Sequence, residues 1–435
     1  MDNSKLFNRN FTLMIIGQII SLFGNVALRF SLSLYVLDAT GSAGIFATIL
    51  AVSTIPTILL SPIGGVLADR VSRQKIMWVL DFTTSAVIIL LSFLIKLDNV
   101  IITIGIVMVI LSTIQCFYQP SVQSSIPLLQ NEKNLMKANG IAMQVNAVAN
   151  LVGPILGGFL YGFFGLKPIL YVSAICFFAS AVMEIFIKIP FEKRERKSGV
   201  VRTVFLDLKE GFSFLKLHDK VLLNGLILIA LINLFIATFF QVGSPYIVKI
   251  FLGLSSQLYG FVEAALGVGT ILGAICSSFL APKKKISKIY ILIILSSLSL
   301  LPIIFGTINA NQPMISYVII LLSTLFAMIF ASVFSIVCQT IMQRSTPAHL
   351  LGKTSSFVTT LCICCFPIGQ ALYGFLFEKF PDEIPVIVAI AVLGGCIVGF
   401  ASRKTFRWYD ENRPEDFSKE FQPEKIAASS LIETE

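Results

Sequence analysis

Histidine and charge are the scarcest materials in this chain. Asp, Glu, Lys and Arg make up 13% of its 435 residues, and there are only two histidines, His218 and His349. Soluble domains carry about a quarter charged residues, so a chain this poor in charge, 56% hydrophobic and with mean hydropathy +0.86, is not one. Two isolated histidines argue against a zinc enzyme. The eight cysteines (Cys116, Cys176, Cys276, Cys338, Cys362, Cys364, Cys365, Cys396) all fall inside apolar runs, where they read as small packing residues and not as a metal site or a disulfide framework. No G-x4-G-K-[ST] loop occurs, which excludes a self-contained ATP-driven pump. No A-x-A site follows the first apolar run, which is too long for a signal-peptide core and is expected to be retained. The sequence therefore calls for no enzyme, no cofactor, no metal and no nucleic-acid partner.

What is abundant is uninterrupted apolar sequence. Twelve charge-poor runs recur: Phe11–Val36, Ile45–Leu67, Ile76–Ile95, Val100–Gln123, Gly140–Phe164 and Pro168–Ile187, then Leu222–Ile247, Leu258–Leu280, Ile289–Thr307, Met314–Ile341, Ser355–Phe377 and Pro385–Phe400. About 20 helical residues cross ~30 Å of hydrocarbon, so the expected fold is an all-α polytopic membrane protein of 12 transmembrane helices. Lys and Arg orient it. Of 33 such residues, 28 lie on segments that share a side with both chain ends; Lys96, Lys167, Lys249 and Lys379 lie on the other side, and Arg29 lies within a run. Both ends are thus expected in the cytoplasm of a cell whose plasma membrane holds the protein. The net charge of +9 is then charge at a lipid surface.

The two halves echo each other. Leu22-Phe23 recurs as Leu234-Phe235, Gly157 as Gly369, and Leu160-Tyr161-Gly162-Phe163 as Leu372-Tyr373-Gly374-Phe375, all at an offset of 212 residues. Six spans return the chain to the same side, so the repeat is parallel, about an axis along the membrane normal. This divides the chain into a six-helix bundle at 1–189, a linker at 190–220, a second six-helix bundle at 221–402 and a polar tail at 403–435. Val204, Leu208, Phe212 and Leu215 recur every three or four residues in the linker, predicting a short helix on the inner membrane surface.

Between the second and third runs lies Gly64-Gly65-Val66-Leu67-Ala68-Asp69-Arg70-Val71-Ser72-Arg73-Gln74-Lys75. A plain positive-inside loop would account for its basic residues, but not for a glycine, a leucine and an aspartate at these offsets. The hinge resembles the signature loop of the major facilitator superfamily, G-x-L-x-D-R-x-G-R-K, through Gly65, Leu67, Asp69, Arg70 and Arg73; Ser72 and Gln74 depart from it. In the fifth run Gly140, Ala149, Gly153, Pro154, Gly157 and Gly158 resemble the G-x8-G-x3-G-P-x2-G-G pattern of that family's antiporters, with Ala149 in place of one glycine. Small residues let helices pack backbone to backbone, and Pro154 frees a carbonyl and bends the helix. Gln18, Ser21, Gly24, Thr40-Gly41-Ser42-Ala43 and Phe117-Tyr118-Gln119-Pro120 resemble the macrolide- and multidrug-efflux branch. The fourth run lacks the arginine that other antiporters place there.

The resemblance implies rocker-type alternating access around a midplane cavity lined by spans one, four, seven and ten. A small amphiphilic substrate would leave as protons enter, and Asp69 with its basic neighbours would latch the cytoplasmic side. A dedicated exporter of one metabolite, such as a siderophore or lysolipid, and a non-transporting membrane sensor are the alternatives. Ionisable residues inside a bilayer are costly and default to functional candidates. Arg29 shares a helical face with Asn25 and Gln18 and is expected in the cavity, with Glu263 as a candidate partner. Glu263 and Asp81 are the proton-coupling candidates. A competing expectation pairs Asp81 with Arg70 and Arg73 and lets Glu184 snorkel to the interface. Gln115 and Gln119, Asn146 and Asn150, and Gln339 with Gln343 repeat at steps of four, which suits either a polar passage or interhelical hydrogen bonds.

Overall fold

The computed structural model describes residues 6–95, 99–190, 212, 220–280, 288–308, 312–346 and 348–412. Twelve helices among them are long and apolar enough to cross a bilayer. The first half contains α1 (Arg9–Thr40), α2 (Ala43–Arg70), α3 (Arg73–Leu94), α4 (Val100–Leu129), α5 (Glu132–Phe164) and α6 (Leu166–Ile185). In the second half, α7 starts at Lys220–Ile232 and is prolonged by π-helical stretches at Asn233–Ala237, Phe239–Gly243 and Tyr246–Phe251. Then come α8 (Ser256–Leu280), α9 in two pieces (Tyr290–Leu298 and Leu301–Ile308), α10 (Pro313–Ser345), α11 (Ala348–Lys379) and α12 (Ile384–Asn412).

Polar residues punctuate the apolar runs. Asn8, Ser42 and Asn131 cap α1, α2 and α5, accepting from the amides of Phe11, Ile45 and Asn134 at 3.0 Å each. Gly41 takes a left-handed φ of 61°, which stops α1 and lets α2 fold straight back. At the far end, α12 runs to Asn412, past the expected start of the tail. Phe406 is buried edge-on against Phe334, Arg403 lies 5.7 Å over the Tyr290 ring, and Arg407 pairs with Glu411 at 2.8 Å, so packing and an i,i+4 pair carry the helix onward. The expected linker helix lies outside the described residues apart from Phe212, whose ring centroid is 5.4 Å from that of Phe357.

Within the first half α1 packs on α5 and α6, α2 on α4, and α3 on α6; within the second, α8 packs on α10 and α9 on α12. The halves meet along two seams, α2 on α11 and α5 on α8. Glycine makes the second seam close: a Cβ at Gly158 would lie 2.7 Å from the Ser256 carbonyl oxygen and 3.2 Å from Gly260 Cα. Both seams are tightest on the face opposite the chain ends. On the face that carries the ends, the terminal face, α4 and α5 make no comparable contact with α10 or α11 among the described residues. Among the described residues the halves are therefore apart toward the terminal face and joined on the other.

Candidate functional site: a cavity between the two halves

A cavity of about 730 Å³ lies where the halves face each other. Asn25, Arg29, Gln115 and Asn150 reach it from the first half, and Gln241, Tyr259 and Glu263 from the second. Phe30, Phe46, Leu50 and Met108 supply apolar wall. Phe30 and Tyr259 stack across the divide, ring centroids 5.4 Å apart and planes 7° from parallel. Arg29 donates from Nη2 to Ser112 Oγ at 2.9 Å, Tyr259 Oη donates to Glu263 Oε1, and Gln370 Nε2 donates to Gln241 Oε1 at 2.7 Å. Arg29, Glu263 and Gln241 are thus each held by their own bundle, leaving their remaining hydrogen-bonding capacity to the cavity. Glu263 is the only carboxyl group in the lining among the described residues.

The sequence candidates divide. Asn25, Arg29, Gln115, Asn150 and Glu263 come together in this cavity, but Arg29 and Glu263 form no ion pair: each is held by a hydroxyl of its own half. Gln18 is 1% exposed and lies away from the lining, as do Gln119 and Asn146; the Asn146 amide is spent on the Ala142 carbonyl at 2.9 Å. Gln339 lines a different cavity, inside the second half. In α5, Gly153 packs on Val26, Gly157 on Ala27 and Phe30, and Gly158 on α8, while Ala149 is fully buried. A Cβ at Gly140 would meet nothing within 4 Å. In the hinge the close approach belongs to Gly64, which abuts the Cys116 backbone oxygen, whereas a Cβ on Gly65 would meet nothing. Arg73 donates from Nε to Ser124 Oγ at 2.8 Å. Leu67 and Arg70 close α2; the side chain of Asp69 lies outside the described ones.

Asp81 does not join the hinge arginines. It is 2% exposed inside the first half, and its Oδ2 has no hydrogen-bond partner among the described residues. Glu184 does not snorkel either: it is fully buried and accepts from Tyr118 Oη at 2.7 Å, with Ser21 Oγ 3.3 Å from that hydroxyl. The reason is positional. Met77 and Asp81 are one turn apart on the buried face of α3 against α6, so the side chain points into the bundle and away from the surface where the arginines sit.

On the shut face, Asp38 pairs with Lys249 at 3.1 Å and accepts from Tyr161 Oη at 3.0 Å, and Lys249 also donates to Ser256 Oγ at 2.8 Å. Glu378 caps the start of α2 across the divide, accepting from Ser42 Oγ at 2.8 Å and from the Gly44 amide at 3.1 Å. The Asp38–Lys249 pair and the Glu378 contacts join first half to second, and sequence reading missed them because the partners lie far apart in the chain. Lys249→Met should loosen this face. The pair is partly exposed, with side-chain accessibilities of 11% and 31%, so the loss is about 0.5–1 kcal/mol, or roughly two- to fivefold in population. The check is the rate at which a membrane-impermeant thiol reagent, added from that face, reaches Ser33→Cys in the cavity. It should rise by that factor, and an unchanged rate would deny the pair a latching role.

Two six-helix bundles around a one-sided cavity define a polytopic helical protein of the membrane-transporter class. The chain belongs to the major facilitator superfamily, whose profile, "Major Facilitator Superfamily", matches residues 14–366. Among curated proteins it is similar to the uncharacterized MFS-type transporter YfiS of Bacillus subtilis, 25% identical over 79% of each chain. It is also similar to macrolide efflux protein A of Streptococcus pyogenes, 22% identical over 83% of this chain and 88% of that one. Among solved structures it resembles a bacterial homologue of the iron transporter ferroportin in an inward-facing state, with TM-score 0.71, 18% identity, and 91% of this chain and 98% of that one covered. The nucleoside transporter NupG follows, with TM-score 0.71 and 13% identity over 92% and 100%. At these identities the solved structures speak for the fold alone.

Proposed function

We propose that this protein exports amphiphilic small molecules across the cell membrane by alternating access, driven by proton antiport. The observation that carries the reading is the make-up of the central cavity: aromatic and aliphatic walls, carboxamides that hydrogen-bond without fixed charge, and one arginine and one carboxyl group, each tied to its own half. Such a lining accepts a polar group on an otherwise apolar molecule without demanding a single geometry. The family membership and the likeness to macrolide efflux protein A support the substrate class. The excess of Lys and Arg on the terminal face supports placing that face in the cytoplasm, so the cavity loads from inside. Rocking the halves about their seams would part the Asp38–Lys249 and Glu378–α2 contacts, open the outer face, and bring the Asp69, Arg70 and Arg73 hinge against the other half as the inner latch. Glu263 would then take a proton from outside as substrate leaves.

The test is accumulation of a macrolide and of an amphiphilic dye in an efflux-deficient bacterium expressing the protein, with and without a protonophore. Lower accumulation that the protonophore restores is the expected result. Unchanged accumulation of every compound, with the protein shown to be in the membrane, would overturn the amphiphile reading in favour of a dedicated metabolite exporter.

A further inference from the structure

The second half contains a cavity of its own, about 630 Å³, lined by α7, α8, α9, α10 and α11. Ile229, Met328, Ile336 and Val358 are typical of its walls, and Asn233 and Gln339 are its largest polar groups. Its volume is within the range of small-molecule sites. It abuts the central cavity, because Thr270 of α8 stands in the wall of both. The π-helical part of α7 borders both: Asn233, Ile236 and Ala237 line the inner cavity, and Gln241, further along the same helix, lines the central one. Extra residues per turn rotate successive side chains off a single face, and π-helical turns of this kind concentrate at functional sites.

The internal repeat offers a control within the molecule. At the offset of 212, Ser21 falls on Asn233, Asp81 on Ile293 and Gln119 on Ala331, all three of which line the cavity. In the first half Ser21 and Asp81 belong to a packed polar core, which Tyr118 completes by bonding Glu184. Tyr118 and Glu184 fall on Phe330 and Cys396, so that chain of hydroxyl and carboxyl groups has no equivalent in the second half. The position of Gln119 is there reduced to the methyl group of Ala331. The space holds linked polar groups in one half and is lined mostly by apolar side chains in the other.

We infer that the cavity in the second half seats the apolar body of the substrate while its polar end sits among Arg29, Gln115 and Glu263. The inference rests on the amphiphile-exporter reading and narrows it: the substrate is a bulky amphiphile with one large apolar face or ring system and a separate hydrogen-bonding end. A small, evenly polar metabolite would leave the inner cavity unfilled.

Cys338 and Cys362 line the cavity, while Cys176 lies in the first half against Gly24. The experiment uses the purified full chain in lipid nanodiscs with rhodamine 6G as probe and erythromycin as competitor. Fluorescence anisotropy reads binding, and mass spectrometry reads the alkylation rate of each cysteine by N-ethylmaleimide. Saturating dye should slow Cys362 at least fivefold without slowing Cys176, and Ala331→Leu should weaken dye binding at least tenfold. Dye that binds while Cys362 reacts at its former rate, with Ala331→Leu binding like the wild type, would overturn the inference and leave the exporter reading standing. Cys362 shielded equally with and without dye would make a bilayer lipid the occupant, which also overturns it. Binding of neither compound to the wild type would remove the reading on which the inference rests.

Discussion

Gly158→Leu should reduce export by one to two orders of magnitude while leaving the protein inserted in the membrane. Alternating access needs both closures, and the closure seen here depends on α5 meeting α8 backbone to backbone at Gly158 and Gly260. A Cβ at Gly158 is already too close to the Ser256 carbonyl, and that neighbour is backbone, which cannot rotate away. Overpacking a tight contact costs about 1–3 kcal/mol, and each ~1.4 kcal/mol is a factor of ten in a population. Since the contact joins the halves and not the helices of one bundle, the cost falls on one conformation and not on folding. Two readouts check this together: protonophore-sensitive efflux, and the distance between spin labels placed on the shut face, one in each half. Efflux should fall and the labels should move apart. Gly225→Leu, at a position in α7 where a Cβ meets nothing within 4 Å, is the comparison for loss of a helical glycine as such. Export by Gly158→Leu at the wild-type rate would mean that the seam opens and closes elsewhere.

Gly158 shows how much of the molecule is legible in one dimension. The spacing of Gly153, Pro154, Gly157 and Gly158 identifies a close-packing face, because small residues at those intervals let helix backbones approach in a bilayer. It does not say that Gly153 and Gly157 face α1 while Gly158 faces the other half. The spans are legible for the same elementary reason: hydrocarbon thickness sets a length, and composition reports it. The α7 distortion is not, since Leu222–Ile247 reads as an ordinary apolar run and π turns leave no periodic trace. Arg29 and Glu263 stand out because charge inside a run is conspicuous. Gln119, Asn146 and Gln339 fall outside the central cavity because amides at steps of four fix a face of one helix without fixing what that face meets, and Gln18 does so although it shares a face with Arg29. Glu184 misleads for want of Tyr118: its partner is 66 positions away, and a carboxyl group near a helix end looks interfacial until a buried hydroxyl is seen to bond it.

Glu263→Gln should abolish uphill export and spare downhill exchange. Coupling requires a group that exchanges protons with one side and meets the substrate or the moving interface on the other. Glu263 is the proposed group by position: it lines the central cavity, sits toward the shut face from the midplane on α8, and is bonded by Tyr259, whose ring stacks on Phe30 of the opposite half. A change of charge at Glu263 thus acts one hydrogen bond away from a contact that must break when the halves rock. Gln keeps the size and can still accept the Tyr259 hydrogen bond, so folding and substrate access should survive, but it cannot carry a proton. A one-unit pH difference supplies about 1.4 kcal/mol per proton, so losing the coupling at two units removes roughly a hundredfold of concentrating power. In proteoliposomes with an imposed pH gradient, the variant should equilibrate a macrolide without concentrating it, and substrate-driven proton movement should vanish. If substrate still drives protons through Glu263→Gln, the carrier is not in the central cavity. The Asp81–Glu184 pair in the first half would then be the next place to look, because its buried oxygens Oδ2 and Oε2 are left without partners among the described residues.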